Sequence, residues 1–495
     1  MKDLVLGIDI GTTGIKAIVI SKDGSIIWES YRPCELISLK PGFAEEDPIL
    51  WWGNTLSILK ELSETEYKNR IACIGVSGMV PTLILVDEKE NPLRYSIQQN
   101  DARAVEEIEY FRKILNEEDF FEITGNTINQ QVIFPKYLWL KKNEPENVKK
   151  ARYIMGSYDF ISFKLTGVPH VELNWALESG LLNIHKKTWH KEILNLAEIP
   201  EEMLPPIYEP VQIVGETKEI LPGIPVIAGS ADHIASAFSM GLREEGDLLL
   251  KIGGAGDILF VIDKLKIDRR LFIDFHDIPN KFILNGCMAS SGSIVKWFKN
   301  QFAKDLSYDD LTTFAEKSRI GANGLILLPY FLGEKTPIFD PVARGVFFGL
   351  GLHHEIGDIF RSILEGVAFG FRHHVDVIKE LGFLIKRVFM SNGGAKNSLW
   401  RRIVVDVIGQ DAKYIENHPG SSLGAAFLAG KAVDLFKDWD EIDLFLKNSQ
   451  WIYTNEKNHK LYESYYEIYR ELYPTLKLLF EKLYKLERSW ENEKI

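Results

Sequence analysis

The sequence has 495 residues, which is more than one hydrophobic core usually organises, so we expect two domains. Apolar residues make up 45% and charged residues 26%, a composition that is typical of globular proteins and excludes a disordered one. The formal net charge of −12 disfavours non-specific binding to nucleic acid or to a membrane surface.

The cysteines and the apolar segments indicate the compartment. The three cysteines lie far apart and show neither a CxxC motif nor a Cys/His metal spacing, which favours a reducing compartment. The N-terminal residues lack the apolar run and cleavage site of a signal peptide, and no stretch of about 18 uncharged apolar residues occurs. We therefore expect a soluble, cytoplasmic protein that binds neither nucleic acid nor membrane.

The first segment predicts strands joined by tight turns. Leu4–Ile10 and Ile15–Ile20 are apolar runs that flank the turn from Gly11 to Gly14. A second turn signal at Asp23-Gly24 then precedes a strand over Ile26–Tyr31.

A helix and a further strand come next. Asp47 is a candidate N-cap with Pro48 just inside the helix start. The spacing predicts an apolar face made of Ile49, Trp52, Leu56 and Leu59. Residues 71–76 then predict a strand that ends in the loop 77–81.

The pattern of the first hairpin returns near residue 247. Leu248–Ile252 and Ile258–Ile262 flank the turn Gly253-Gly254-Ala255-Gly256, which repeats the order of strand, glycine turn and strand. This predicts two similar α/β halves joined near residues 241–245. Residues 102–220 are helical and irregular in pattern and predict a substrate-side insertion, and residues 462–489 predict a helix.

The two glycine turns carry phosphate-binding chemistry. Glycines let backbone amides approach phosphate oxygens, and Thr12 and Thr13 add hydroxyl donors in the first turn. Asp9, at the end of the preceding strand, is well placed to hold Mg²⁺ directly or through water, and Lys16 lies just beyond the turn. Two such hairpins that face a cleft would clamp a polyphosphate, although each turn alone is also compatible with an ordinary hairpin.

Asp232 is the best candidate for a general base. It follows the apolar strand over residues 224–227, at the strand end where α/β folds bind ligands. Phosphoryl transfer needs little beyond positioning, a metal ion and a base for the attacking hydroxyl. A helix N-cap is an equally good interpretation of Asp232. His233 has no partner at metal-ligand spacing, so a role as metal ligand is disfavoured.

The last third predicts a further ligand surface. A strand over Arg387–Met390 leads into the glycine turn at Gly393-Gly394, and Asn397 or Ser398 caps a helix that ends at Gly409. A flat glycine floor at a helix N-terminus suits the adenosine end of a nucleotide. The small residues of 420–426 predict either close helix packing or a ligand contact.

Taken in order, these motifs resemble the FGGY family of carbohydrate kinases, within the actin-like ATPase superfamily. The resemblance covers nearly the whole chain, and xylulokinase-like members are the nearest match. The motifs that carry it are GIDIGTTGIKA at 7–17, Trp51-Trp52, GVSGM at 75–79, QNDAR at 99–103, GSAD at 229–232, LPY at 328–330 with GEKTP at 333–337, RGVFFGL at 344–350 with LEGVA at 364–368, SNGGAKNS at 391–398 and GSSLGAA at 420–426.

The resemblance implies an α/β fold of two ribonuclease-H-like domains around a central cleft. It implies an N-terminal domain over 1–242 on the sugar side and a C-terminal domain over 243–495 on the nucleotide side. It further implies ATP and Mg²⁺, with Asp232 catalytic and Asp9 linked to the metal. The positions expected to bind the nucleotide are Gly11, Thr12, Thr13, Lys16, Gly253, Gly254, Gly393, Gly394 and Asn397. The positions expected on the sugar side are Met79, Val80, Asn100, Asp101 and His233.

Four departures from the usual xylulokinase pattern affect these expectations. Val80 stands where a His is typical, Gln99 where a Trp is typical, and His233 where an Asn is typical. These three touch the sugar pocket and put the substrate in question. Gly254 stands where the phosphate turn often carries Thr.

We therefore expect ATP-dependent phosphorylation of a terminal hydroxyl of a small sugar, with a ketopentose such as D-xylulose as the first choice. Ribulose, glycerol, gluconate and tetruloses are the alternative substrates. A chaperone or filament ATPase of the same superfamily is the non-kinase alternative, and a Rossmann dehydrogenase is disfavoured because GxGxxG is absent after the first strand. The oligomeric state stays open, with a homodimer as one alternative.

Overall fold

The computed structural model describes residues 2–492. Its first half contains fifteen strands, many of them short: β1 (Leu4–Gly11), β2 (Gly14–Ser21), β3 (Ile26–Pro33), β4 (Glu45–Glu46), β5 (Ile71–Gly78), β6 (Ile84–Val86), β7 (Ser96–Ile97), β8 (Tyr153–Met155), β9 (Val171–Glu172), β10 (Leu182–Asn183), β11 (Thr188–Trp189), β12 (Ile207–Tyr208), β13 (Ile213–Glu216), β14 (Pro225–Ile227) and β15 (Ser230–Ala231). Its helices are α1 (Pro48–Ser63), α2 (Val105–Ile114), α3 (Glu117–Thr124), α4 (Ile133–Asn143), α5 (Pro145–Lys150), α6 (Ser157–Thr166), α7 (Leu173–Glu178), α8 (Lys191–Leu196) and α9 (Asp232–Ser239).

The second half has fewer strands and longer helices. The strands are β16 (Asp247–Ile252), β17 (Gly256–Ile262), β18 (Phe272–Phe275), β19 (Phe282–Met288), β20 (Ile326–Leu328), β21 (Val346–Phe348), β22 (Arg387–Ser391), β23 (Ala412–Ile415) and β24 (Ser449–Ile452). The helices are α10 (Gly292–Phe302), α11 (Tyr308–Lys317), α12 (Ile356–Glu380), α13 (Ser398–Ile408), α14 (Ser421–Ala432) and α15 (Glu456–Asn492). Within residues 2–492 no helix combines the length and apolar character needed to cross a bilayer.

Each half is built on one seven-stranded mixed sheet. The first has the order β13-β14-β5-β1-β2-β3, with β15 also paired to β5, and the second has the order β18-β19-β17-β16-β22-β23-β24. In both sheets, the first strand of the glycine-turn hairpin has two neighbours. It pairs antiparallel with the second strand of the hairpin (β1 with β2, β16 with β17) and parallel with a later strand (β1 with β5, β16 with β22). The internal repeat predicted from the two glycine hairpins is therefore confirmed at the level of topology.

Local signals for helix ends are also confirmed. Asp47 is the N-cap of α1 and accepts a hydrogen bond of 2.8 Å from the backbone N–H of Ile49. Asn397, not Ser398, caps α13, because its Oδ1 accepts from the N–H of Trp400 at 3.0 Å. Gly409 ends α13 in the left-handed region with φ +67°, a conformation that favours glycine.

The predicted apolar face of α1 is confirmed at Leu59 and wrong at its other three positions. Ile49 is 63% exposed, and Trp52 and Leu56 are only half-buried. The fully buried face instead carries Trp51, Thr55, Ile58, Leu59 and Leu62. This helix has two adjacent apolar stripes. The stripe that contains Trp51 is the buried one, and there the indole of Trp51 donates a hydrogen bond to Glu46.

Helix α14 belongs to the second half in sequence but packs on the first sheet. Its side chains Leu423 and Phe427 share a buried cluster with Val5 and Ile18 of the first hairpin. The contact needs small residues: a Cβ atom on Gly424 would lie 2.2 Å from the carbonyl oxygen of Ala235 in α9. Of the two interpretations of residues 420–426, close helix packing is thus confirmed.

Candidate active site

The two halves enclose a polar cavity of about 190 Å³. The first half lines it with Val80, Gln99, Asn126, Asn129, Gln131, Glu178, Asp232 and His233. The second half lines it with Lys251, Asp257, Phe272, Ile273, Asp274, Asn285, Cys287 and Lys335. Most of these side chains carry hydrogen-bonding groups, so the cavity suits a small ligand with many hydroxyls.

Asp232 lies at the wall between the first sheet and α9. Strand β15 pairs with the end of β5 and brings Ser230 opposite Ser77, which positions the next residues at the cavity. Asp232 is the first residue of α9, whereas Ala231 occupies the N-cap position without a capping side chain. The interpretation of Asp232 as an N-cap is therefore wrong. Its side chain is 39% exposed, as a group that meets a ligand must be.

His233 joins Asp232 to two further carboxylates. Its Nδ1 atom lies 3.4 Å from Oδ1 of Asp232, and its Nε2 atom lies 3.2 Å from Oδ2 of Asp274 and 3.7 Å from Oε1 of Glu178. Burial acts to lower the pKa of His233, but the carboxylates of Asp274, Glu178 and Asp232 outweigh it and raise that pKa well above its usual value. The imidazole is therefore a cation at neutral pH.

The structure also bears on whether His233 has partners with which it could bind a metal ion. The sequence offered no partner for His233 at ligand spacing, but the fold brings one ligand atom each from Glu178, His233 and Asp274 within 4.8 Å of one another. Glu178 and Asp274 come from α7 and β18, and no sequence signal linked them to the GSAD loop.

Asp9 lies in the first sheet next to this cluster. Its Oδ1 accepts a hydrogen bond of 2.9 Å from Ser77, and Ser77 and Lys16 are its direct neighbours on β5 and β2. Burial and the negative charge of Asp232 raise the pKa of Asp9 to about 6, against the opposing effects of Ser421, Ser77 and Lys251. Asp9 and Asp232 thus lie close enough to repel each other, an arrangement that a divalent cation would relieve.

The first glycine turn presents its hydroxyls to solvent. Thr12 and Thr13 are both exposed, between a partly buried Gly11 and a buried Gly14. The turn is fixed from behind, since the carbonyl of Thr13 accepts hydrogen bonds from the Tyr31 hydroxyl at 2.7 Å and the N–H of Cys34 at 3.0 Å.

The second glycine turn lies against the N-terminus of α10. The carbonyl of Gly254 accepts from the N–H groups of Ser291 and Ser293, and the carbonyl of Gly253 accepts from the N–H of Gly292. In the part of the chain that the structure describes, the hydroxyls of Ser290, Ser291 and Ser293 are buried without a hydrogen-bond partner. Unpaired hydroxyls at a helix N-terminus provide the donors that a phosphate group needs.

A second cavity of about 470 Å³ extends from this point. It is lined by Gly292, Val295, Tyr308, Asp309, Thr312, Phe360, Leu364, Gly393, Gly394, Lys396, Asn397, Ser398 and Trp400. Gly393, Gly394 and Asn397, three of the nine positions expected to bind the nucleotide, therefore share one cavity. The side-chain oxygen of Asn397 caps α13 and its NH2 group donates a 2.8 Å hydrogen bond to Thr312, so the orientation of this amide in the cavity wall is fixed.

The residues expected on the sugar side divide into two groups. Val80 and His233 line the smaller cavity. Met79, Asn100 and Asp101 do not line it: Met79 is buried with its carbonyl bonded to Ser157, and Asn100 is exposed outside the lining.

Asp101 is held in a buried ion pair. Its carboxylate accepts from the N–H of Ala44 at 2.6 Å and from the guanidinium of Arg103 at 2.8 Å, and both charged side chains are fully buried. The cavity residues that the sequence did not single out are Asn126, Asn129, Gln131, Glu178, Lys251, Asp257, Phe272, Ile273, Asp274, Asn285, Cys287 and Lys335. Lys335 lies in the GEKTP motif at 333–337, and the others come from separate segments without a motif.

Comparison with known proteins gives one family for both halves. Residues 4–239 match the N-terminal domain, and residues 253–433 the C-terminal domain, of the FGGY family of carbohydrate kinases. The xylulose kinase of Bacillus subtilis (strain 168) is 30% identical over 482 residues, which cover 95% of this chain and 96% of that protein.

Solved structures agree in fold. The xylulose kinase of Rhodospirillum rubrum is 36% identical with a TM-score of 0.92, covering 97% of this chain and 100% of that one. The gluconate kinase of Lactobacillus acidophilus is 26% identical with a TM-score of 0.91, covering 97% and 99%. The predicted two-domain α/β fold of the actin-like type is thereby confirmed, and the chain belongs to the FGGY family of carbohydrate kinases, which phosphorylate an alcohol group of a sugar with ATP.

Proposed function

We propose that this carbohydrate kinase transfers the terminal phosphoryl group of ATP, with Mg²⁺, to a terminal hydroxyl of a ketopentose such as D-xylulose. The observation that carries the proposal is the polar cavity of about 190 Å³ beside Asp232. Its volume lies below the roughly 300–1,000 Å³ of sites for drug-sized ligands, which favours a small sugar. The relatives named as xylulose kinases support the same substrate class.

The residues present fit ATP. The larger cavity has the glycine floor of Gly393 and Gly394 for the adenosine end. The unpaired hydroxyls at the start of α10 and the exposed hydroxyls of Thr12 and Thr13 are donors for the phosphates, and Lys16 adds a positive charge next to Asp9.

The residues present also fit Mg²⁺. This ion usually takes one or two carboxylates together with substrate phosphates, and Asp9 supplies a carboxylate at the cleft. When bound, the ion would neutralise charge on the phosphates. Ser77 holds the carboxylate of Asp9 in place through its 2.9 Å hydrogen bond.

Asp232 acts as the general base in this proposal. It orients the attacking hydroxyl and takes its proton, while His233 holds the carboxylate from the other side. Because both halves line the cavity, the bound sugar is shielded from water, and this suppresses hydrolysis of ATP.

The charges of the cavity favour a neutral substrate. Asp232, Asp257 and Asp274 face Lys251, Lys335 and His233 across it, and burial raises the pKa of Glu178 well above its usual value, so the cavity has no clear excess of either charge. A gluconate carboxylate would find no excess of positive charge here to offset its desolvation, so we place gluconate behind neutral ketoses. D-ribulose, L-ribulose, glycerol and tetruloses remain the alternatives, since none of them carries a charge.

The test is ADP release measured by a coupled assay with D-xylulose, D-ribulose, L-ribulose, glycerol, gluconate and tetruloses. We expect a ketopentose to give the highest kcat/KM and gluconate the lowest. If no sugar raises ADP release above the background without sugar, the proposal is wrong. A preference for gluconate would overturn the argument from charge.

Val80 provides a sharper test of the substrate. Its side chain lines the cavity with an apolar surface at a position where xylulokinases typically carry His. We expect Val80→His to raise activity on D-xylulose relative to the other sugars, because the imidazole adds a donor for a sugar hydroxyl. A wild-type enzyme already selective for D-xylulose, without a gain in the variant, would contradict this role.

Three further predictions are kept as proposals. The chain divides into a sugar-side domain over 1–242 and a nucleotide-side domain over 243–495, although α14 packs back onto the first sheet. The enzyme acts in the cytoplasm, in keeping with the free Cys34, Cys73 and Cys287. A homodimer is the proposed assembly, which light scattering on the purified protein tests.

A further inference from the structure

The two glycine turns differ in the donors that they offer to a phosphate. The first turn exposes the hydroxyls of Thr12 and Thr13, whereas Gly253, Gly254 and Ala255 of the second turn have no side-chain donor at all. In phosphoryl transfer the negative charge is spread over the three oxygens of the moving group. Beside the neutral hydroxyls of Ser290, Ser291 and Ser293, the second half must therefore stabilise this charge with a side chain outside the turn or with backbone groups.

Lys251 lies where such a side chain is needed. It is on β16, two residues before Gly253, and it lines the smaller cavity together with Asp232. Its side chain is only 14% exposed. An ammonium group at the wall of a small cavity has few hydrogen-bond acceptors within reach other than those of the ligand.

The nearby carboxylate of Asp257 leaves the ammonium donors free. The two residues are opposite each other on β16 and β17, but Nζ of Lys251 and Oδ2 of Asp257 are 3.6 Å apart, which is longer than a hydrogen bond. Among residues 2–487, whose side chains the structure describes, none accepts a hydrogen bond from this Nζ. All three N–H donors of Lys251 are thus available to a ligand.

The charge of Lys251 reaches both carboxylates of the proposed chemistry. Burial raises the pKa of Asp9 and acts in the same direction on Asp232, and the positive charge of Lys251 opposes this effect at both groups. A single ammonium that acts on both lies near the space between the candidate metal ligand and the candidate base. In the proposed function, the phosphoryl group crosses that space.

We propose that Lys251 is a catalytic residue that binds an oxygen of the phosphoryl group during transfer. This inference rests on the proposed function. In the step, the sugar oxygen forms a bond to the γ-phosphorus, and the bond from phosphorus to the β–γ bridging oxygen breaks. The electron pair of that bond leaves with ADP, and the hydroxyl proton goes to Asp232. Lys251 keeps its proton and donates hydrogen bonds that grow stronger as charge develops.

The first experiment replaces the ammonium by a group of similar length without charge. Lys251→Met should lower kcat by about 10²–10³-fold, the usual cost of one lost donor to a transition-state oxygen. KM for the sugar and the melting temperature should change little. Lys413→Met is the matched control, since Lys413 is a half-buried lysine on β23 of the same sheet, outside the cavity lining. A kcat of Lys251→Met close to wild type would overturn the inference.

The second experiment distinguishes two possible roles of Lys251, which are to bind the phosphoryl group and to neutralise the charge of Asp257. ADP with aluminium fluoride and sugar mimics the phosphoryl group in transfer. We expect its inhibition constant to rise at least about tenfold in Lys251→Met, a loss of about 1.4 kcal/mol, while the Kd of ADP alone is unchanged. If instead Asp257→Asn restores the rate of Lys251→Met, Lys251 serves only to balance Asp257 and the inference is wrong.

Failure of this inference is distinguishable from failure of the proposed function. A wild-type enzyme without sugar-dependent ADP release overturns the proposed function and, with it, the role of Lys251. An active wild-type enzyme whose Lys251→Met variant is equally active overturns the role of Lys251 alone.

Discussion

The imidazole of His233 lies between Asp232 and Asp274, with Nδ1 3.4 Å from the first carboxylate and Nε2 3.2 Å from the second. Asp274 is buried and Asp232 faces the cavity, so the contact anchors a partly exposed carboxylate to the interior of the second half. The imidazolium also affects the charge of Asp232: burial acts to raise the pKa of Asp232, but His233 and Lys251 hold it below the usual value. Asp232 is therefore ionised at neutral pH, as a proton acceptor must be.

We expect Asp232→Asn to lower kcat by about 10²–10⁴-fold, the usual contribution of a general base. The amide keeps the shape of the side chain but cannot take the proton. Asp47→Asn is the matched control, because Asp47 is a true N-cap and Asn caps a helix about as well as Asp. Steady-state ADP release measures both variants, and a near-normal Asp232→Asn enzyme would end the general-base assignment.

We expect His233→Asn to move the acid limb of the kcat/KM profile to higher pH. Removing the imidazolium removes a cation that lowers the pKa of Asp232, so that pKa rises and the base is protonated at a higher pH than in wild type. The exposed His185 provides the control variant His185→Asn, which should leave the profile in place. An unshifted acid limb in His233→Asn would show that the limb does not report Asp232.

Much of the fold follows from local signals in the sequence. The glycine hairpins, the Asp47-Pro48 helix start and a cap at Asn397 or Ser398 depend on neighbouring residues and were predicted correctly, with Asn397 the one of the two that caps the helix. The packing of α14 on the first sheet brings together residues about 400 positions apart, such as Gly7 and Ser422. No local sequence pattern specifies this packing. The buried face of α1 was missed because two apolar stripes compete and only tertiary packing chooses between them.

The site was predictable only where a motif carries it. Asp9, Asp232 and the glycine turns belong to recognisable motifs. Glu178, Asp274 and Lys251 reach the cavity from a helix and two strands. The sequences of these elements predict secondary structure but contain no motif that marks a ligand site. Their role at the cavity depends on the pairing of strands and on the contact between the halves, which spacing along the chain does not reveal.

We expect Asp101→Asn to destabilise the protein and leave the sugar KM of the folded enzyme close to wild type. Breaking a buried ion pair costs about 3–5 kcal/mol, and we expect the lower end of this range because Arg103 keeps its 2.6 Å ion pair with Glu45. The exposed pair of Asp3 and Arg70 gives the control Asp3→Asn, for which the cost is about 1 kcal/mol or less. Urea unfolding measures both; a large rise in sugar KM without loss of stability would return Asp101 to the sugar site.

We expect Gly424→Ala and Gly53→Ala to change the free energy of unfolding in opposite directions. Both glycines lie within helices, α14 and α1. A Cβ atom on Gly424 would be 2.2 Å from the backbone oxygen of Ala235, which cannot move without shifting α9, whereas a Cβ on the exposed Gly53 meets nothing within 4 Å.

Overpacking of this kind costs about 1–3 kcal/mol, so Gly424→Ala should unfold at a lower urea concentration. Gly53→Ala should gain about 1 kcal/mol, since alanine loses less backbone entropy than glycine when a helix forms. The chemical change is the same in both variants, and only the surroundings differ. If Gly424→Ala were as stable as wild type, α14 could not lie as close to α9 as the structure has it.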